Sequence, residues 1–493
     1  MTSIPPVPGP DMVSSSSAEL APLVARGAVI NLVATAVLTA CSIAQAIIVP
    51  RLLGPSTIGV FGVAMGGVMI GVTIKTIDLP TKLVQEREVD LATAYRVAFT
   101  LEIILASIFF LVIQGVAPLL AWAYHRPILW PVTSLLGLAV FSAAFTELPA
   151  AVPFRQMRYL RRRLISSTSP LVSFGVTVGA AFAGLQIWSL VAGTLAGVAA
   201  SAVVMLVAVP VRPGLAWERP VVRRFLGFGW PIWAGGIVSA SAGWSGVMVV
   251  SATTGMSGVG YWDLAQGWAA RALQVDGMIS DAVFPALCRM QDALPALRSA
   301  FVRMCRISVL YAAPVGLGIV LFSRPALVLV LGARWDRATV LVRAEGAAAV
   351  VNAIGYSWDV FLAARGVTRP QLTASVVAAV WIVTIVIPLL LVWGLNGAAA
   401  SLVVLAAAFY VVRQRYMTRL FGPLNLAALV WRELAGAGAA AVVMELLRHA
   451  GWRSSTLPGL VAQGFTYLAL VGAAYALTSR RFVFETCGML RRR

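Results

Sequence analysis

Acidic and amide side chains recur at whole-turn spacings inside strongly apolar stretches of the sequence. Glu345, Asn352 and Asp359 are each seven residues apart, nearly two helical turns, so one helix would carry all three on a single stripe. Asp263 lies in a second apolar stretch. An ionised group inside a membrane is costly and usually faces a cavity or a partner. The pattern predicts that these four residues bind a coupling cation, either H⁺ or Na⁺.

Basic side chains lie in or beside apolar stretches of the same kind. Arg26, Lys75 and Arg271 are the three candidates, and we expect them to line a wet cavity and attract an anionic part of a substrate. A second interpretation stays open, in which these side chains only extend toward the membrane interface and the acids pair with neighbours.

The residues that most enzymes need are scarce. The only two histidines are His125 and His449, and the four cysteines have no metal-ligand spacing. The glycine-rich turns are not followed by the Lys-Ser/Thr pair of a phosphate-binding loop. The sequence therefore predicts neither an enzyme nor a bound cofactor or metal.

The composition is typical of a membrane protein. Hydrophobic residues make up 60% of the 493 positions, charged residues only 12%, and the mean hydropathy is +0.88, whereas a soluble domain carries about 25% charged residues. The net charge of +19 matches the excess of Lys and Arg in cytoplasmic loops. We therefore expect membrane lipids, and no nucleic acid, around this chain.

Hydrophobic windows predict an all-α, polytopic protein with about fourteen transmembrane helices. The predicted spans are 27–49, 59–77, 97–119, 128–150, 166–183, 187–210, 226–250, 258–280, 307–331, 338–362, 371–393, 396–412, 426–447 and 457–478. With a cytoplasmic N-terminus, 30 of the 38 Lys and Arg residues fall in inward segments and 8 in outward ones. This asymmetry predicts that both termini are cytoplasmic.

An internal repeat underlies the predicted spans. Three glycines, an aromatic residue and an alanine of segment 51–66 recur in segment 252–267 at an offset of 201 residues, and basic pairs beginning at Arg158 and Arg365 recur at an offset of 207. Six helices, an even number, separate the copies, so both halves insert with the same orientation. The repeat predicts two parallel six-helix lobes with the substrate path between them, followed by two helices outside the repeat.

Four motifs carry a resemblance to a known family. They are RLLGPSTIGVF at 51–61, VFPALCRMQD at 283–292, GARWD at 332–336 and RGVTRP at 365–370. In this order and placement they resemble the multidrug/oligosaccharidyl-lipid/polysaccharide exporter superfamily, and within it the Wzx-type polysaccharide-repeat flippases. Asp263 departs from the pattern, because a small polar residue is expected there.

The resemblance implies a function. It implies that a polyprenyl-diphosphate-linked oligosaccharide moves from the cytoplasmic to the periplasmic leaflet of the bacterial inner membrane by alternating access of the two lobes. A polysaccharide polymerase and chain-length machinery are the expected protein partners. The alternatives are a cation-coupled multidrug antiporter of the same superfamily, a peptidoglycan-precursor flippase and, from another class, a membrane polysaccharide polymerase.

The same reasoning divides the chain into segments. We expect a disordered cytoplasmic tail, an N-terminal six-helix lobe, a cytoplasmic linker, a C-terminal six-helix lobe, two additional transmembrane helices and a basic cytoplasmic tail. Their boundaries are 1–25, 26–210, 211–225, 226–413, 414–479 and 480–493.

Overall fold

The computed structural model describes the chain in segments, and most of the described residues are helical. It covers residues 17–75, 79, 91–150, 167–208, 214–223, 225, 243–268, 283, 287, 290, 292–355, 358–365, 369–452 and 455–479. Within these ranges the side chains of 17–34, 70, 73–75, 91, 359, 363, 369–372 and 374–375 are not described.

The described helices are numbered here in chain order. They are α1 (Ser17–Leu53), α2 (Pro55–Lys75), α3 (Leu91–Ala123), α4 (Leu129–Ala150), α5 (Thr168–Phe182), α6 (Ile187–Ala208), α7 (243–268), α8 (Leu294–Leu331), α9 (Thr339–Ala353), α10 (Trp358–Ala364), α11 (Arg369–Trp381), α12 (Ile387–Phe421), α13 (Leu426–His449) and α14 (Leu457–Thr478). A 3₁₀ turn, Ala333–Ala338, joins α8 to α9, and a π-helical turn, Ile382–Val386, joins α11 to α12.

Eight segments of the described chain are long and apolar enough to cross a membrane. The segment Val376–Phe421 has 46 residues, about 69 Å of helix at 1.5 Å per residue, more than twice the ~30 Å hydrocarbon core. It is broken at Gly394, where φ is 55° and ψ is −133°. A Cβ on Gly397 would lie 2.5 Å from the carbonyl carbon of Leu389, eight residues earlier, so the chain reverses there. The predicted boundary between spans 371–393 and 396–412 is confirmed, whereas the count of fourteen stays a prediction.

Two glycines turn the chain at equivalent points of the repeat. Gly54, between α1 and α2, has φ of 84°, and Gly255, inside α7, has φ of 69°. This left-handed conformation is one that glycine adopts without steric cost. The two positions are 201 residues apart, so the turns predicted between spans one and two and between spans seven and eight lie where the repeat places them.

One predicted span is wrong as a continuous helix. Span 338–362 ends as α9 at Ala353, passes through an extended Ile354 (φ −72°, ψ 103°) and Gly355 (φ 73°), and restarts at Trp358. The interruption is stabilised from α12, because Arg413 donates to the backbone oxygen of Asn352 at 2.6 Å and to that of Ile354 at 3.5 Å. Carbonyls freed at a helix end need such partners inside a membrane.

The chain forms two compact units. Unit 1 comprises Met1–Leu53 with Val63–Ala240, and unit 2 comprises Gly54–Gly62 with Ser241–Arg493. In unit 1 the core is built around Tyr95, Phe99, Leu148, Met205 and Phe225, all buried.

In unit 2 the core includes Phe301, which packs edge-on against Phe361 and tilted against Phe421, at centroid distances of 5.1 and 5.4 Å. The helices α13 and α14 belong to this core.

The attachment of α13 and α14 uses polar contacts as well as packing. Arg306 of α8 donates two hydrogen bonds to Oε1 of the fully buried Glu433 of α13, at 2.9 and 2.6 Å. Tyr467 of α14 donates to the backbone oxygen of Pro314 of α8 at 2.9 Å. These bonds join the two helices outside the repeat to unit 2.

Candidate functional site

The two glycine-rich segments of the repeat pack directly against each other within unit 2. A Cβ on Gly59 would lie 2.6 Å from the carbonyl carbon of Met256, and a Cβ on Gly260 would lie 2.8 Å from that of Pro55. Gly59 corresponds to Gly260, and Pro55 to Met256, at the same offset of 201. The contact is therefore reciprocal, as at an isologous two-fold interface. We call these four residues the repeat contact.

Asp263 lies next to the repeat contact, between the two segments. Its repeat equivalent is Gly62, and a Cβ on Gly62 would lie 2.9 Å from Cγ of Asp263. The carboxylate thus occupies the space that a Gly62 side chain would fill. This placement explains the departure from the expected small polar residue, because Gly62 on the facing segment leaves room for a carboxylate.

The GARWD motif supports the repeat contact from the side. The hydroxyl of Tyr261 donates to the backbone oxygen of Arg334 at 3.1 Å, and the Tyr261 ring meets the buried Trp335 ring edge-on at 5.9 Å. The Arg334 guanidinium lies over Gly54, with Nη1 3.1 Å from where a Cβ would be. A motif singled out from the sequence therefore has a structural role next to the glycine turn.

Glu345 is buried in α9 without a hydrogen-bond partner for Oε1 among the described residues. Its neighbour Gly346 packs against Gly316 of α8, since a Cβ on either glycine would lie 2.6–2.7 Å from the other's backbone oxygen. The carboxylate therefore sits beside a tight helix crossing. A buried carboxylate without partners is expensive unless it is neutral or binds a cation.

Asn352 is held by a structural contact. Its side-chain oxygen accepts a hydrogen bond from Nη2 of Arg413 at 3.1 Å, in addition to the backbone bond at the helix interruption. Asn352 and Glu345 share α9 at seven-residue spacing, yet no hydrogen bond or ion pair joins Asp263, Glu345 and Asn352 to one another.

The other four candidate residues have side chains outside the part of the chain that the structure describes. The side chains of Arg26, Lys75 and Asp359, and the whole of Arg271, lie outside the described residues. Within the described ranges no group of three His, Cys, Asp or Glu side chains is placed to hold a metal ion.

Sequence reasoning missed two buried polar groups. Arg413 directly follows the predicted span 396–412 but is only 7% exposed, and Glu433 is fully buried. The available signal for Glu433 was its position inside the predicted span 426–447, where it is one of two acids, the other being Glu445. Arg413 gave no such signal, because it lies at the end of a predicted span where a loop arginine is ordinary.

Comparisons with known proteins agree with the motifs. The profile of a family described as polysaccharide biosynthesis protein matches residues 48–340. Lipopolysaccharide biosynthesis protein WzxC of Escherichia coli (strain K12) is 22% identical over 320 residues, which is 63% of this chain and 63% of that protein. The match thus spans less than two thirds of that relative's length.

Solved structures show the same fold. Lipid II flippase MurJ, in an inward closed conformation, has a TM-score of 0.74 at 11% identity and covers 92% of this chain and 100% of its own. An inward-facing multidrug resistance MATE family transporter of the MOP superfamily has a TM-score of 0.62 at 13% identity, covering 78% and 94%. These two structures are of a flippase and a transporter, and they confirm the all-helical membrane fold. The predicted resemblance is confirmed by the family match and by the similarity to WzxC.

Proposed function

The chain belongs to the polysaccharide biosynthesis protein family, and we propose that it moves polyprenyl-diphosphate-linked oligosaccharide units from the cytoplasmic to the periplasmic leaflet of the bacterial inner membrane. The observation that carries the proposal is the family match over residues 48–340. That family is one of polysaccharide biosynthesis proteins, and the relative WzxC is a lipopolysaccharide biosynthesis protein. A multi-pass transporter fold can carry the membrane step of such a pathway.

The repeat contact supports an alternating-access mechanism. At Gly59 and Gly260 the two backbones meet with no side chain between them, so the contact is close there and can separate at these positions without disentangling side chains. We assign it to the side that the Lys and Arg distribution predicts to be periplasmic. In our proposal the contact is closed while substrate loads from the cytoplasmic leaflet and opens to release it.

Cation binding is the proposed source of coupling. Asp263 lies inside the symmetric contact, and Glu345 has a buried carboxylate oxygen with no hydrogen-bond partner in the described part of the chain. Binding of H⁺ or Na⁺ at either group neutralises a charge that burial makes costly. Asn352 contributes by fixing the helix interruption rather than as a free ligand, and Asp359 remains a proposed ligand.

Arg26, Lys75 and Arg271 are the proposed ligands of the substrate diphosphate. Arginine binds phosphate oxygens in a planar, bidentate manner, whereas lysine offers a point charge. Arg271→Ala should therefore stop export at unchanged protein level, and Arg271→Lys should retain part of it. Full export by the alanine variant would remove Arg271 from the site.

The orientation can be measured directly. With both termini cytoplasmic, a single Cys placed at Arg415 in a Cys-free background should resist a membrane-impermeant thiol reagent in intact cells, and one placed at Arg126 should react. Both positions are exposed, so accessibility depends on the side of the membrane. The opposite labelling pattern would reverse the proposed orientation.

A multidrug antiporter is the second candidate function, since the fold also matches an inward-facing MATE transporter with a TM-score of 0.62. A peptidoglycan-precursor flippase is the third, given the lipid II flippase fold. Gene deletion separates the three. Loss of a surface polysaccharide with accumulation of cytoplasmic-face lipid-linked units supports our proposal. Unchanged polysaccharide with altered resistance to cationic drugs, or complementation of a lipid II flippase defect alone, would refute it.

A further inference from the structure

A basic cavity opens on unit 2. Its volume is about 510 Å³, and it lies where the end of α8, the 3₁₀ turn Ala333–Ala338, the start of α9 and the turn at Gly394 come together. Three arginines, Arg324, Arg337 and Arg343, line it. No step of the proposed transport uses this cavity.

The charges of the cavity do not cancel. Asp336 is the only acid among the lining residues, and it accepts from Nε and Nη2 of Arg324 at 3.0 and 3.4 Å. Arg337 and Arg343 are exposed and make no hydrogen bond or ion pair with any described residue. The lining therefore has two positive charges in excess, and both are available to an anion.

A buried hydroxyl in the lining also lacks a partner. Thr339 is only 8% exposed, and its Oγ1 makes no hydrogen bond with any described residue. Its backbone N–H donates to the oxygen of Asp336 within the 3₁₀ turn. The exposed donors of this cavity are consequently side chains, namely those of Arg337, Arg343 and Asn396, rather than a free helix N-terminus.

The position of the cavity relative to the membrane points to a lipid. Leu391, Val392 and Trp393, just before the turn at Gly394, are 64%, 74% and 61% exposed. Tryptophan is enriched at the level of the headgroups, and exposed aliphatic side chains face acyl chains. Leu395 continues this apolar surface into the cavity lining. A ligand in the cavity would thus have its phosphate among the arginines and its tails along α12.

We propose that this cavity binds the headgroup of an anionic phospholipid on the side predicted to be periplasmic. The shared chemistry is a phosphate diester of net negative charge, bound by Arg337 and Arg343 through charge-assisted hydrogen bonds. The inference depends on the membrane setting and not on the identity of the transported substrate.

The test uses the full-length protein in a neutral detergent with three probes. Binding of dihexanoyl phosphatidylglycerol, dihexanoyl phosphatidylcholine and inorganic phosphate is measured by microscale thermophoresis at low and high salt. Phosphatidylglycerol should bind more tightly than the other two, and its affinity should fall as salt screens the arginines. Equal binding of phosphatidylcholine would overturn the requirement for net charge. Equal binding of inorganic phosphate would overturn the lipid assignment.

Substitutions of the basic and of the acidic lining residues should change the affinity for phosphatidylglycerol in opposite directions. Arg337→Ala and Arg343→Ala should each weaken phosphatidylglycerol binding by about three- to fivefold, the scale of one exposed charge pair. Asp336→Asn should strengthen it, because Arg324 is then released and the only acid of the lining is removed. Arg126→Ala, an exposed arginine of unit 1, is the matched control and should change nothing. Unchanged affinity in the double variant Arg337→Ala/Arg343→Ala, or weaker binding by Asp336→Asn with an intact melting temperature, would refute the proposal.

Discussion

An alanine at Gly59 tests the repeat contact at the point where the two segments are closest. The new Cβ would lie 2.6 Å from the carbonyl carbon of Met256, whereas carbon atoms pack at about 3.5–4.0 Å. The segments must then move apart by about 1 Å or more, because the atom that is met is backbone and cannot rotate away. Overpacking of this kind costs about 1–3 kcal/mol, which changes the ratio of closed to open states by about 5–150-fold.

Two other glycines provide graded controls. Gly62→Ala meets the carboxylate of Asp263, a partly exposed side chain that can turn aside, so its effect should be smaller. Gly246→Ala meets nothing within 4 Å and should leave the equilibrium unchanged. Gly260→Ala faces the carbonyl of Pro55 and should reproduce the effect of Gly59→Ala, since the contact is reciprocal.

Pulsed electron spin resonance measures the distance between the two segments that form the repeat contact. Spin labels at Ser56 and Ser257, which are equivalent positions of the repeat, report the distance between the two segments in an otherwise Cys-free protein. Gly59→Ala should shift the distance distribution to longer values relative to wild type. A distribution that is identical to wild type, in a folded variant, would show that the contact does not limit the closed state.

Three further predictions concern polar groups within the helices of unit 2. Glu433→Gln removes the charge that Arg306 contacts and should lower the free energy of unfolding by about 2 kcal/mol. The loss is smaller than the ~3–5 kcal/mol of a fully buried pair, because the Arg306 side chain is 26% exposed. Unfolding by a denaturing detergent measures it, with Glu445→Gln at an exposed side chain as the control, and equal stability of the two variants would contradict the prediction. Asn352→Asp places a charge beside the guanidinium that the amide already contacts and should raise the melting temperature; a fall would show that the site does not tolerate the charge. Glu345→Gln should keep the fold but lose the dependence of transport on H⁺ or Na⁺, and an unchanged ion dependence would exclude Glu345 as a coupling group.

The sequence was sufficient to locate several of the described helices and the equivalent glycine turns of the repeat. Apolar windows located α13 and α14 at 426–447 and 457–478, close to the observed Leu426–His449 and Leu457–Thr478, because apolar length is a direct requirement of the bilayer. The repeat predicted that Gly54 and Gly255 are equivalent, and both adopt positive φ. A turn residue with positive φ favours glycine whatever its tertiary contacts, so such a turn can be predicted from the sequence.

The sequence pattern could not predict which distant residues contact each other in the folded chain. The stripe of Glu345, Asn352 and Asp359 assumed one helix, and the interruption at Gly355 depends on Arg413, which is 58 residues further along the chain. Likewise, the contact of Asp263 with Gly62 requires knowledge that equivalent segments meet. Periodicity reports the environment of each residue, whereas these roles arise from pairs that only the fold brings together.

Transport by the purified protein tests the central claim most directly. The full-length chain is reconstituted into liposomes with a polyprenyl-diphosphate oligosaccharide whose terminal sugar is removable by an added, membrane-impermeant glycosidase. Flipping should make the entire lipid-linked pool accessible to the glycosidase, and Gly59→Ala should change the rate. Cleavage that stops at the outer-leaflet fraction, in vesicles containing folded protein and an imposed H⁺ or Na⁺ gradient, would contradict the proposed function.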